Sequence, residues 1–145
     1  MFTVARTGRP RAFTMIELMM IVVIVAVLAA VAIPIYGRYV RNSRVSEATT
    51  RIGEIITAAK VYATAHPNAD GEPTWPPATG GGIVSLESTD LFDYRITTGA
   101  SGDATTMPLT VAATGIVGRK MAGTVVTVTL PNINSGGTTS VQFGD

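Results

Sequence analysis

Glu17 is the residue whose type and position most strongly suggest chemistry, because it is a lone carboxylate at the start of a long apolar run. No side chain in residues 18–33 is polar. A carboxylate within a membrane helix costs roughly 2.5–3.5 kcal/mol on insertion scales, so such a residue indicates a function and a charged partner. The alternative interpretation is a solvated acid at the level of the lipid headgroups.

The rest of the chain gives little indication of catalysis. The single histidine, His66, stands beside Pro67 at the expected end of a helix, which favours a capping or solvent-exposed role. The glycine run at residues 80–82 lacks the lysine and the serine or threonine of a phosphate-binding loop, and is typical of a linker. We therefore predict that the protein is not an enzyme, with no catalytic residue and no bound cofactor.

Metal and nucleic-acid binding receive equally little support. The acids Asp70, Glu72, Glu87, Asp90, Asp93 and Asp103 lack EF-hand spacing. We expect them to be dispersed and solvated, with a calcium ion in a loop as the less favoured alternative. The 145 residues include no cysteine, which excludes disulfides and thiolate metal sites. No basic run with interleaved aromatics indicates nucleic-acid binding.

The element that must position Glu17 is an apolar helix over residues 13–35. At ~1.5 Å per residue, residues 13–34 would extend roughly 33 Å, enough to cross a bilayer. Pro34 is expected to kink this helix, because proline removes one backbone hydrogen bond and crowds the preceding turn. Arginines lie on both sides of the run, so charge alone does not fix its orientation in a membrane.

The apolar run is followed by an amphipathic helix over residues 39–65. Its apolar side chains recur at three- and four-residue steps, at Val45, Ala48, Ile52, Ile55, Ile56, Ala59, Tyr62 and Ala63. Pro67 should end it near Ala65 or His66. The two patterns together predict one helix of roughly 50 residues.

Short β-type runs separated by turn residues follow a loop rich in proline and glycine. We predict strands at residues 94–98, 109–113, 124–130 and 140–143. Connections of this length favour an antiparallel sheet, whose apolar face would pack on the amphipathic helix. The predicted fold class is therefore α+β. Trp75, in the loop, is expected to cover the core edge rather than to form an exposed contact.

The N-terminal motif resembles that of the type IV pilin-like family, which comprises type IV pilins and the pseudopilins of type II secretion. The residues that carry the resemblance are a basic leader followed by Ala12, Phe13, Thr14, Glu17 and Pro34. Ala12 stands where glycine is usual in the family. The resemblance implies cleavage between Ala12 and Phe13 by prepilin peptidase, N-methylation of Phe13, and an assembly role for Glu17.

The resemblance also implies an organisation for the whole chain. The expected segments are a leader (1–12), a transmembrane and filament-core helix (13–36), an amphipathic stem (37–66), a connecting loop (67–88) and a sheet head (89–145). The implied partners are further copies of the chain, the peptidase and methyltransferase, the pilus assembly machinery and the inner membrane. The precursor would be a single-pass inner-membrane protein with an exported C-terminal domain, and the product an extracellular filament.

Two other functions stay open at this point. A pseudopilin would use the same helix to build a short periplasmic fibre. A plain secreted or membrane-anchored binding domain would be cut after Ala32 or not at all, because Ala30-Val31-Ala32 is an acceptable signal-peptidase site.

Many pilins close a C-terminal loop with a disulfide, whereas this chain must hold that region by packing and hydrogen bonds.

Overall fold

A long helix and a four-stranded sheet are the main elements of the part of the chain that the structure describes. The computed structural model describes residues 13–82, 84–98 and 102–144. Its elements are α1 (Met15–Ala65), a 3-10 turn (Gly80–Gly82), β1 (Phe92–Thr98), β2 (Leu109–Gly115), β3 (Val125–Leu130) and β4 (Thr138–Gln142). The α+β class predicted from the sequence is thereby confirmed.

α1 is a single helix of 51 residues and ends where the sequence predicts. Its last backbone bond runs from the amide of His66 to the carbonyl of Tyr62, at 3.0 Å. Pro67 has no N–H to continue the pattern and disfavours helical geometry in the residue before it. By density of contacts the chain divides into two units, Met1–Val40 and Arg41–Asp145, so that α1 contributes to both.

The sheet in the second unit is an antiparallel meander in the order β1-β2-β3-β4. β1 begins at Phe92, two residues before the predicted start, because Phe92 is fully buried and pairs with Gly115. β4 ends at Gln142, opposite Val125, which leaves Phe143 beyond the ladder. The other strand limits agree with the prediction to within two residues.

The core of the second unit lies between α1 and one face of the sheet. Alternate residues of β2 and β3 are buried, which is the period-two pattern of a half-buried strand. The buried helix residues follow steps of three and four, at Ala48, Ile52, Ile55, Ala59 and Ala63. They share one cluster with Tyr94, Ile96, Val126 and Val128 of the sheet.

Trp75 lies in this core, as predicted, with only 1% of its surface exposed. Its indole N–H donates to the Met107 carbonyl at 2.8 Å, and its backbone amide donates to Gly102 at 2.9 Å. A buried indole requires such a partner. The loop after α1 is therefore fastened to the segment that precedes β2.

Gly81 shows why the glycine run is more than a flexible linker. Its φ is +62°, in the left-handed region that favours glycine. A Cβ at this position would come within 2.6 Å of the Tyr62 ring. The turn can therefore lie directly against α1 only if this residue is glycine.

Candidate anchoring and assembly segment

The apolar side chains of the first unit, at the start of α1, are exposed. Exposure is 74% at Phe13, 68% at Ile16, 64% at Leu28 and 61% at Ile35. Apolar surface left in water costs about 25 cal/mol per Å², and a patch this long indicates a membrane or a partner. By length and composition α1 can cross a membrane, a criterion that a signal sequence near an N-terminus also meets.

Thr14 and Glu17 form a capping box at the first turn of α1. The Glu17 carboxylate accepts from the Thr14 amide at 2.9 Å and from its hydroxyl at 2.8 Å, both through Oε2. In return, the Glu17 amide donates to the Thr14 hydroxyl at 3.3 Å. These bonds satisfy amides that a helix start leaves without partners. The spacing Thr-x-x-Glu is the sequence signal for this motif, and it was not among the features predicted from the sequence.

The capping box gives Glu17 a local partner that is not a cation. Within the described residues, the ion pairs are Arg51–Glu54 and Arg95–Asp93, so the Glu17 carboxylate has no cationic partner there. Only Oε2 is engaged, which leaves Oε1 able to accept from another molecule. A pairing of Glu17 with a second chain therefore stays a prediction.

The other residues predicted for processing and assembly are placed only in part. Ala12 and the rest of residues 1–12 lie outside the described residues. Phe13 and Thr14 precede the first helical residue, Met15. α1 continues through Pro34, so the kink expected there stays a prediction.

His66 and Asp103 have local structural partners. The His66 ring stacks on Tyr62 at 4.1 Å between centroids, and its Nδ1 lies 3.0 Å from the Tyr62 carbonyl. The Asp103 carboxylate accepts from the Thr105 hydroxyl, the Thr105 amide and the Thr106 hydroxyl at 2.7–2.9 Å. These bonds, from Thr105 first, lower the pKa of Asp103.

No metal site is formed by the residues that the structure describes. Within them, no group of three or more His, Asp or Glu side chains could hold an ion. Asp103 uses its oxygens to cap a turn, as described above. The calcium alternative stays a hypothesis without a set of ligands in the described ranges.

The C-terminal end of the sheet makes two contacts, one of them with α1, that the sequence did not reveal. The Arg41 guanidinium lies 5.5 Å from the centroid of the Phe143 ring. Gly123 and Gly144 approach closely, since a Cβ on Gly123 would lie 3.0 Å from the Gly144 Cα. Packing of this kind is what we expected in place of a disulfide.

Comparisons with known proteins bear on the N-terminal segment first. A family model described as the prokaryotic N-terminal methylation motif matches residues 8–33. The type IV major fimbrial protein FimA of Dichelobacter nodosus is 32% identical over 108 residues, which cover 74% of this chain and 58% of that protein. The fimbrial protein EcpC of Eikenella corrodens is 28% identical over 116 residues, covering 77% and 72%.

Other relatives match over a shorter stretch of the chain. The type IV major pilin protein PilA of Myxococcus xanthus is 44% identical over 54 residues, 37% of this chain and 24% of that protein. The chain thus spans about three fifths of the length of FimA and about a quarter of the length of PilA. No solved structure matches it.

Proposed function

We propose that the chain belongs to the type IV pilin-like family and is the structural subunit of a type IV pilus-like filament. The observation that carries the proposal is the exposed apolar start of α1, with its first turn capped by Glu17, inside the matched methylation motif. Its activity is association with further copies rather than catalysis. The relatives are named as fimbrial and pilin proteins, which favours a pilus over a secretion pseudopilus.

Processing comes before assembly. Prepilin peptidase removes residues 1–12 by cutting between Ala12 and Phe13, and the new amine of Phe13 is methylated. Support comes from the methylation motif at residues 8–33. Phe13 is exposed and precedes α1. On the Phe13 side, the peptide bond to be cut is therefore not protected by helical hydrogen bonds.

The apolar segment then serves twice. In the inner membrane its exposed side chains contact lipid, and in the filament they contact the equivalent segments of neighbouring copies. Lipid tails are about as apolar as leucine, so exchanging lipid for helix contacts loses little hydrophobic free energy. Subunits can therefore leave the bilayer for the filament.

Glu17 sets the axial position of each incoming subunit. Its partner is the terminal amine of Phe13 in a neighbouring copy, and the ordinary pKa of such an amine is ~7.7–8. Either charge left alone among apolar helices costs several kcal/mol, and pairing offsets much of this. The capping box holds the carboxylate at the helix start, with Oε1 available for that amine.

The test combines N-terminal sequencing with filament assembly. We expect the mature protein to begin at Phe13, and Glu17→Ala as the only copy to be cleaved and inserted but to yield few or no sheared filaments. Glu54→Ala is the matched control, because it removes an exposed acid of α1 outside the apolar segment. A mature terminus at Ile33 or Met1, or filaments at wild-type amount from Glu17→Ala, would overturn the corresponding step.

A further inference from the structure

β4 forms an open edge of the sheet in the second unit. It is the last strand in the order β1-β2-β3-β4, so only its β3 side is paired. All five of its residues, Thr138–Gln142, are exposed, and none of them is charged or a proline. Edge strands are commonly protected from pairing with other chains by charge, by proline or by a covering element. β4 has neither charge nor proline, and its exposure shows that no other described element covers it.

The alternation of the ladder shows which backbone groups of β4 face outward. The amide of Gly115 donates to the Thr124 carbonyl at 2.8 Å, so these residues form a hydrogen-bonded pair between β2 and β3. Along an antiparallel ladder, successive residues direct their N–H and C=O groups to opposite sides. Thr127 of β3 therefore bonds to β4, where its partner is Ser140. The same alternation turns the amide and carbonyl groups of the two neighbours of Ser140 away from the sheet.

These neighbours, Thr139 and Val141, offer unpaired backbone groups beside apolar surface. Among the described residues, no backbone hydrogen bond joins either of them to another element. Val141 is 37% exposed. Phe143, two residues further on, is 46% exposed although Arg41 lies over its ring. An edge that combines free donors and acceptors with exposed apolar groups can accept a further strand.

We propose that β4 pairs antiparallel with β4 of a second copy of the chain, about a two-fold axis at Ser140, so that one sheet continues through both copies. The inference concerns the second unit by itself and does not depend on the proposed filament. The contact is isologous, because the same residues meet from both copies. Thr139 of each copy exchanges amide and carbonyl hydrogen bonds with Val141 of the other.

The register centred on Ser140 is the one that the edge favours. It overlaps Thr138–Gln142 completely, whereas a shift in either direction leaves residues of the strand unpaired. It also places Phe143 of each copy opposite Gly137 of the other. A Cβ on Gly137 would lie 2.8 Å from Cγ1 of Val128, so this end of the edge has no side chain of its own to cover the core. An aromatic ring from the opposite strand covers such an edge glycine.

This self-complementarity identifies a second copy as the occupant of the edge. Each copy supplies both the ring of Phe143 and the glycine position that receives it. Because β4 carries no charge, its residues meet their counterparts without the repulsion that opposed like charges produce. A pair of five-residue strands is a small contact, and interfaces below ~1,200 Å² are typically weak and transient. The association should therefore depend on protein concentration.

The absence of cysteine from the chain allows the register to be tested by single substitutions. In the proposed pair, the Cα atoms of Ser140 and its counterpart lie ~4.5 Å apart, a separation that a disulfide can bridge. The two copies of Thr138 are offset by roughly 14 Å along the ladder, and so are the two copies of Gln142, which a disulfide cannot bridge. Thr138 of one copy instead lies opposite Gln142 of the other.

We expect S140C in the full chain, in detergent micelles under mild oxidation, to form disulfide dimers whose amount rises with protein concentration. T138C and Q142C are the matched controls, because both are exposed positions of the same strand. Each should stay monomeric alone, and the two should cross-link when mixed. Cross-linking by chance encounter within a micelle would not distinguish these cases.

Thr139→Pro in the S140C background tests the backbone bonds. It removes an outward-facing donor from each copy and leaves the ladder with β3 intact, as proline on an edge strand can. The association constant should fall roughly 25-fold, because one typical hydrogen bond changes an equilibrium about fivefold. Trp75 fluorescence during thermal unfolding shows whether the variant is folded. If it is not, Thr139→Lys takes its place, since a lysine guards an edge without altering the backbone donor.

The inference is overturned if S140C forms no more dimer than T138C alone, or if the mixture of T138C and Q142C fails to cross-link. A monomeric S140C would leave the edge to another chain or to water. Unchanged cross-linking in the folded variant at Thr139 would equally refute pairing through the backbone of β4. Cross-linking in the predicted pattern, lost on substitution of Thr139, supports the paired sheet.

Discussion

The guanidinium of Arg41 stands over the ring of Phe143, 5.5 Å from its centroid, and so ties the first turn of α1 in the second unit to the end of the chain. In a protein without disulfides, this contact and the Gly123–Gly144 approach hold the C-terminal end of the sheet. Both link residues that no local pattern in the sequence relates.

We expect Arg41→Gln to destabilise the second unit modestly, because a cation–π contact at an exposed site contributes ~0.5–1 kcal/mol. Phe143→Leu should cost a similar amount, and the double variant should cost less than the sum of the two. The measurement is thermal unfolding of the full chain in detergent, followed by the fluorescence of Trp75, the sole tryptophan. Strict additivity of the two substitutions would show that the contact contributes nothing.

The capping box predicts that Thr14 stabilises the first turn of α1. Thr14→Ala removes the hydroxyl that accepts from the Glu17 amide, and loss of such a cap typically costs ~1 kcal/mol. Amide hydrogen exchange in the first turn of α1 should accelerate about fivefold, whereas Thr14→Ser should exchange like the wild type. Equal exchange in all three proteins would contradict the capping role.

Ile52 tests the packing of α1 on the sheet. It is fully buried, so Ile52→Asp places an unpaired charge in the core at a cost of several kcal/mol, against a total stability of ~5–15 kcal/mol. The second unit should unfold or precipitate, as seen by circular dichroism. Thr50→Asp, on the exposed side of the same helix, is the control. A parent-like melting temperature for Ile52→Asp would refute the helix-on-sheet assignment.

Removing the Tyr94 hydroxyl should not destabilise the second unit, in contrast to Ile52→Asp. The hydroxyl is buried without a hydrogen-bond partner. The nearby Thr89 hydroxyl lowers the pKa of the phenol by less than burial raises it, but that hydroxyl donates to the Phe92 carbonyl at 3.5 Å. An unsatisfied buried polar group costs ~1–3 kcal/mol, so Tyr94→Phe should leave stability unchanged or raise it. A clear loss of stability in chemical denaturation would show that the hydroxyl has a partner.

The same residue predicts an alkaline effect. Burial raises the pKa of Tyr94 above its ordinary value of 10.0, so the unfolded chain releases the phenolic proton before the folded protein does. Stability should then fall as the pH rises from about 10 towards the folded-state pKa. Tyr94→Phe should abolish this component of the pH dependence.

Asp103 should make stability depend on pH in the acid range, where stability falls as the pH is lowered. Hydrogen bonds from Thr105 and Thr106 lower its pKa below 3.8, so its stabilising contribution is complete above that pH and is lost as the pH falls through the folded-state pKa. Asp103→Asn should be less stable than the wild type at neutral pH, and the difference should shrink in strong acid. Asp70→Asn is the control, and an equal effect of both substitutions would contradict the assignment.

The sequence by itself determined the elements that depend on local pattern. The apolar run, the three- and four-residue spacing up to Ala63 and the position of Pro67 fixed α1 to within two residues, because helix period and proline geometry are local properties. Alternation of valine and threonine located β3 to within one residue. The residues from Phe13 to Glu17 carried the family resemblance in the same way.

Only the tertiary structure decided which distant residues meet. The partner of Trp75 is a carbonyl beside β2, Gly81 must be glycine because Tyr62 lies against it, and the Tyr94 hydroxyl is left unpaired in the core. Such contacts arise when elements far apart in the chain close around one core. Periodicity and composition specify which face of an element is buried, but not which atoms it will meet.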